Sequence, residues 1–362
     1  WEGMDGEASA VSAVRFDATT GELTLMNTTP VPGAVACHVD TDGNLVVVAC
    51  YMGVRGEGQV HSIAIAADGS VGEIIDTAFT FRASGKAGDK ARGGIDAGRQ
   101  KTSHPHMAHL LKTPHGGFHV LVPDLGGDRV EVLIMSDDGK FMGFRKSIVC
   151  PVGSGPRHLA VDAGGMRAFV VCELTSIVQV VDLERSEVIQ EISTLPRNVD
   201  LCGNPFFHDT VRQSECAAVK LLPGDNVLFV SNRGHDSVTR FSIDGDGKLA
   251  VAGHTSTVGR TPRDFFVDPY GKFLLALNQD SGSIVRMDIG QGGKLGEGEE
   301  VAAVPAPVTM IVLAPIPPPA LEPRQWSSPS ASMASSALQR PEGEAAQRRV
   351  LKRPAAAGPA AQ

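Results

Sequence analysis

The stretch "GSGPRHLAVDAGGMRAFVVCELTS", residues 153–176, sets Arg157 and His158 before an apolar run and Glu173 after it. Three further stretches carry similar groups: "HPHMAH" with His104, His106 and His109, "SNRGHD" with Arg233, His235 and Asp236, and "GRTPRDF" with Arg260 and Arg263. These side chains suit one kind of chemistry. A neutral imidazole that titrates near physiological pH can accept and return a proton, and a nearby carboxylate can orient it or share that proton. A guanidinium fork binds a phosphate or carboxylate in bidentate fashion, or neutralises a developing oxyanion. Each group also has an ordinary reading. An arginine beside a strand end usually forms a surface ion pair, Glu173 can face solvent, and His106 and His109 can be loop residues. His158, His235 and Asp236 can brace turns through hydrogen bonds. Three close histidines raise zinc, but "HPHMAH" lacks further Cys or carboxylate ligands at a useful spacing.

A strand scaffold must position these groups, because one phrase recurs along the chain. A glycine-centred turn, an apolar strand of four to six residues, a polar turn and an alternating second strand appear in "VDTDGNLVVVACYMG", "LKTPHGGFHVLVPDLGGDRVEVLIM", "VDAGGMRAFVVCELTSIVQVVDL", "LLPGDNVLFVSNRGHDSVTRFSID" and "VDPYGKFLLALNQDSGSIVRMDI". Each copy reads as a hairpin. Repeats of roughly 45 to 50 residues, with several short strands each and almost no helical periodicity, indicate an all-β fold, a β-propeller. Inner strands of a propeller converge on a channel, so residues flanking them in different blades can meet at one mouth. A pair of β-sandwiches is the alternative, but sandwiches do not usually repeat one phrase five times.

The rest of the chain sets boundaries. With 362 residues it is long enough for a large core, and its net charge of -8 argues against a nucleic-acid or anionic-membrane partner for the body of the chain. A small anionic ligand would instead need a local basic pocket. The six cysteines are scattered without a CxxC pair and read as small buried hydrophobes of a reducing, cytoplasmic compartment. No stretch is long and apolar enough for a membrane helix. Residues 83–101 read as a solvated insertion, and the Pro-, Ala- and Ser-rich residues 313–362 as a disordered tail after a domain spanning 1–312. The chain opens on Trp1, which suggests a missing beginning, with an organellar address upstream as a further possibility.

The phrases "EGMDGEASAVSAVRFDATTGELTLMN", "RQKTSHPH", "VPDLGGDRV", "GSGPRHLAVD", "CELTSIVQVV", "FVSNRGHDSV" and "GRTPRDFFVDPYGKFLLALNQDS" together resemble the lactonase family of seven-bladed propellers, over roughly residues 1 to 312. That family includes the propeller-type 6-phosphogluconolactonases and the fungal carboxy-muconate lactonizing enzymes. The resemblance implies a metal-independent, cofactor-free site at the channel mouth, with a small anionic lactone as substrate. It places the catalytic groups on Arg157, Glu173, Arg233 and a histidine. Counted forward from "RQ" that histidine is His106; counted back from "PDLG" it is His109. The local match of "HPH" favours His106. In this reading His106 is general base or acid with Glu173 as its partner, Arg157 and Arg233 bind anions, and His109 and His158 also contact substrate. Arg263 and Asn278 are expected to be structural or peripheral.

The chain also departs from the family pattern. Ala218 stands where an acidic residue is usual, Cys50 replaces an asparagine, and residues 1–28 match only the end of the family's first blade, which is therefore expected to be incomplete. Hydrolysis of 6-phosphogluconolactone is the leading expectation. A lactonizing isomerase acting on a muconate-like dianion and a non-catalytic protein-binding propeller are the alternatives.

Overall fold

The computed structural model describes residues 9–53, 58–79, 99–197, 214–224 and 226–313. Most of the expected insertion, residues 83–98, and the tail from 314 onward lie outside them.

The described residues form antiparallel sheets made from strands consecutive in sequence. The first sheet has two strands, β1 (Ser9–Phe16) and β2 (Leu23–Val31). Five four-stranded sheets follow. They are β3 (Ala34–Thr41), β4 (Leu45–Met52), β5 (Gln59–Ile65) and β6 (Val71–Phe79); then β7 (His109–Lys112), β8 (Phe118–Asp124), β9 (Arg129–Met135) and β10 (Phe141–Val149). The last three are β11 (Pro156–Val161) to β14 (Glu187–Ser193), β15 (Glu215–Leu221) to β18 (Leu249–Ser256), and β19 (Pro262–Val267) to β22 (Glu299–Ala303). Between them run β12 (Arg167–Cys172) and β13 (Ile177–Asp182), β16 (Val227–Arg233) and β17 (Ser237–Ile243), and β20 (Phe273–Asn278) and β21 (Ser283–Asp288). The first strands neighbour one another, β3 against β7 and β15 against both β11 and β19. This is a β-propeller, with two strands in its first sheet where the others have four.

The sequence pattern explains the packing. In β4, β8, β12 and β16 both faces are apolar, because each face meets a different neighbouring blade. Val47 and Ala49 pack toward Phe118, Val120 and Val122, whereas Val46, Val48 and Cys50 pack toward Ala13 and Val31. Phe169 and Val171 likewise face the blade carrying Leu228 and Val230, while Ala168 and Val170 face Leu121 and Val132. The core is thus a series of inter-blade layers. Outermost strands are wetter, and all five residues of β22 are exposed. Among the described residues no helix is long and apolar enough to cross a membrane.

Candidate active site

The site is built by one backbone device used several times. In β11 the register slips: Pro156 pairs with Cys172 and His158 with Val171, so Arg157 is an inserted residue. The same slip in β19 inserts Arg263 between Pro262, opposite Asn278, and Asp264, opposite Leu277. Cys37 is inserted in β3 between Ala36 and His38. Ahead of β7, Pro105 bridges to Asp124, and His106 follows it as Arg157 follows Pro156. A bulge re-aims a side chain, and proline before it sacrifices no ladder donor at a strand start. Cys37, His106, Arg157 and Arg263 all line one cavity of about 590 Å³, together with His38, His158 and Lys220.

Beside this cavity lies a buried ion cluster. Strand β12 ends at Cys172 in a 3₁₀ turn, Glu173–Thr175, closed by Ser176 in the left-handed region at φ 52°. Glu173, 1% exposed, stands at the start of that turn. Its carboxylate accepts a hydrogen bond from Arg99 Nη2 at 2.7 Å and pairs with Arg157 Nε at 2.9 Å and Arg233 Nη2 at 3.1 Å. Glu215 adds a second carboxylate, 3.4 Å from Arg233 and 3.8 Å from Arg99. Burial alone would raise the Glu173 pKa, but Arg233, Arg99 and Arg157 together hold it well below the usual carboxylate range. Burial brings the Arg157 guanidinium down to about 10, so it stays charged at neutral pH, and its Nη1 donates to Ala217 O at 2.8 Å.

His106 sits against this cluster. It is 7% exposed, and its Nδ1 is buried without a hydrogen-bond partner. Burial, then Arg157, hold its pKa well below the ordinary imidazole value, so the ring is neutral at pH 7. His158 meets it edge-on at 5.2 Å between centroids, and His38 meets His158 at 5.7 Å. Burial also depresses these two, His38 to about 4. Tyr51 closes the other side, 5.7 Å from His106 and stacked at 4.3 Å on His104.

The turn "VPDLGGDRV" anchors the segments that carry His106 and Arg157. Asp124 accepts hydrogen bonds from His104 N at 2.6 Å and Ser103 Oγ at 2.7 Å, which fixes the approach to His106. Asp128 accepts from Gln100 Nε2 at 2.7 Å, Gly153 N at 2.7 Å and Gly155 N at 2.9 Å, which fixes the approach to Arg157. Two glycines permit these contacts. At Gly155, with φ +62°, a Cβ would lie 2.6 Å from Leu174 Cγ; at Gly126 it would lie 1.8 Å from Thr102 O.

The structure brings His106, Arg157, Glu173 and Arg233 together, with His158 on the same cavity wall. Three expectations need correction. Glu173 binds arginines instead of pairing with His106, because three guanidiniums surround it. His109 lies apart, paired through Nδ1 with Asp40 Oδ2 at 2.9 Å, because it belongs to β7 proper and not to the inserted position. Arg263 lines the cavity and is not peripheral, whereas buried Asn278 braces Thr257 O at 3.0 Å. Ala218 is packed in the core, and Glu215 supplies the carboxylate in this part of the molecule. Sequence reasoning missed Arg99, Glu215, Tyr51, His38 and Lys220. Aligning the repeats on their Pro–X pairs, Pro105–His106, Pro156–Arg157 and Pro262–Arg263, was the available signal for the inserted positions. Among the described residues no group of three His, Cys, Asp or Glu side chains is placed to hold a metal ion.

Residues 2–312 match the family described as lactonase, 7-bladed β-propeller. The chain is 30% identical over 317 residues to a 6-phosphogluconolactonase of Bacillus subtilis, covering 85% of this chain and 81% of that one. It is 29% identical to a 6-phosphogluconolactonase of Formosa agariphila, over 79% and 76% of the two chains. Among solved structures it is similar to the periplasmic gluconolactonase PpgL of Pseudomonas aeruginosa, with a TM-score of 0.70 at 25% identity over 85% of this chain and 81% of the other. It is also similar to a putative 6-phosphogluconolactonase of Bacteroides uniformis, with a TM-score of 0.67 at 29% identity over 83% and 80%.

Proposed function

This chain belongs to the lactonase family of seven-bladed β-propellers, and from that premise we propose that it hydrolyses 6-phosphogluconolactone to 6-phosphogluconate without a metal ion. The observation that carries this reading is His106: a neutral, buried imidazole with an uncommitted Nδ1, on the wall of a cavity that Arg157 and Arg263 also line. In the reaction, water attacks the lactone carbonyl while His106 removes its proton. Positive charge at Arg157 meets the resulting oxyanion. The ring C–O bond then breaks, and the imidazolium returns the proton to the departing alkoxide. A depressed pKa makes His106 a modest base and a strong proton donor, which suits the second step. Glu173 holds Arg99, Arg157 and Arg233 in place and stays ionised throughout. The buried thiols Cys50, Cys150, Cys172 and Cys216 support a reducing, cytoplasmic setting.

The test is the disappearance of freshly generated 6-phosphogluconolactone, corrected for spontaneous hydrolysis, with and without a chelator. The expected result is turnover that survives chelation and falls about 10²- to 10⁴-fold in His106→Gln. A variant as fast as the parent would remove His106 from the mechanism; no turnover above background would remove the reaction.

A further inference from the structure

Arg157 and Arg263 occupy the same inserted position in two blades, and each follows a proline. The residue that answers each arginine also has a common place. Cys172 pairs with Pro156 and is followed by Glu173; Asn278 pairs with Pro262 and is followed by Gln279. Arg157 therefore meets a carboxylate at 2.9 Å, whereas Arg263 meets a neutral amide, its Nη1 donating to Gln279 Oε1 at 3.3 Å. Among the described residues no carboxylate lies within ion-pair distance of Arg263.

Among the described residues, the other cations on or beside the cavity wall are each set against a carboxylate. Arg99, Arg157 and Arg233 share Glu173 and Glu215, and Lys220 pairs with Asp264 at 3.0 Å. On the cavity wall itself Arg157 is answered by Glu173 and Lys220 by Asp264, whereas Arg263 meets a neutral amide, beside histidines that are neutral at pH 7. Arg263 is half-buried on the cavity wall, so part of its guanidinium remains accessible to a ligand. A planar fork with its charge unanswered fits the oxygens of a phosphate monoester.

We infer that Arg263 is a specificity-determining residue that binds the phosphate of the substrate, so that the chain selects a phosphorylated sugar lactone over its neutral counterpart. The inference rests on the lactone-opening reading above and adds the residue that discriminates.

The experiment compares 6-phosphogluconolactone with glucono-1,5-lactone for the parent chain, Arg263→Gln and Arg263→Lys. The quantity read is the ratio of kcat/KM for the two lactones. Loss of a charge-assisted contact should lower that ratio about 10- to 100-fold in Arg263→Gln, chiefly through KM for the phosphorylated lactone, with partial recovery in Arg263→Lys. A ratio unchanged within about twofold overturns the inference, as does an equal loss on both lactones, which a merely structural role would give. Equilibrium binding of 6-phosphogluconate and gluconate gives a readout independent of turnover. If the parent opens neither lactone, the proposed reaction fails, while a parent preference for 6-phosphogluconate that vanishes in Arg263→Gln still supports the anchor. No such preference, or one that persists in the variant, overturns it.

Discussion

The blade built from β11 to β14 and the blade built from β19 to β22 use one backbone device for different ends. Each starts with Pro–Arg, each inserts the arginine at a register slip, and each turns after its second strand at a residue that reaches that arginine. In the first blade that residue is Glu173, and Arg157 becomes part of a fixed, buried ion cluster. In the other it is Gln279, and the charge of Arg263 stays available at the cavity wall. Repeating a bulge places a side chain; the residue across the turn decides whether its charge is met by a carboxylate or by a neutral amide.

Substitutions at those two answering positions test the contrast. The largest effect is expected for Glu173→Gln, which leaves the buried Arg157 and Arg233 and the partly exposed Arg99 without their shared carboxylate. Removing one partner of a buried ionic cluster typically costs about 3–5 kcal/mol, which denaturant unfolding would read, and lactone turnover should collapse with it. Stability close to that of the parent would show that Glu215 and solvent compensate, and that the cluster is looser than its distances suggest.

A smaller and more selective effect is expected for Gln279→Glu, which gives Arg263 the carboxylate that Arg157 already has. KM for the phosphorylated lactone should rise about tenfold, with folding stability near the parent's. If affinity instead stays the same, the distinction between the two blades has no functional content.

The smallest effect concerns pH. Buried His106 and half-buried His38 and His158 have pKa values below the usual imidazole value of about 6.5, so below that pH the unfolded chain binds more protons than the folded one. Stability should therefore decline as pH falls from 7 toward 5. Glu173 contributes in the opposite range of group behaviour: its folded pKa is depressed, so its stabilisation is present above the ordinary carboxylate range and is lost only at lower pH. Thermal unfolding at pH 7, 6 and 5 checks the order, with a decline that begins before Glu173 titrates.

Much of this protein is legible in its residues. The runs "NLVVVACYMG", "RAFVVCELTS" and "VLFVSNRGHD" are apolar on both faces, and only a strand layered between two neighbours can bury both. The repeated glycine turns and even spacing lead from there to a propeller, and several polar residues flanking the strands, His106, Arg157, His158 and Arg263, line one cavity. Local pattern determines these features because burial and turn geometry depend on adjacent residues.

Pairings across blades depend on distance in space, and these the tertiary structure decided. Arg99 reaches Glu173 across 74 positions, and Arg233 reaches the same carboxylate from another sheet. His106 and His109 are equivalent as residue types, and only the register ahead of β7 puts one in the cavity and the other on Asp40. Arg157 and Arg263 carry nearly the same local phrase, "GPRH" and "TPRD". Their charges differ in consequence because an electrostatic environment is the sum over everything nearby, and nearness is fixed by the fold.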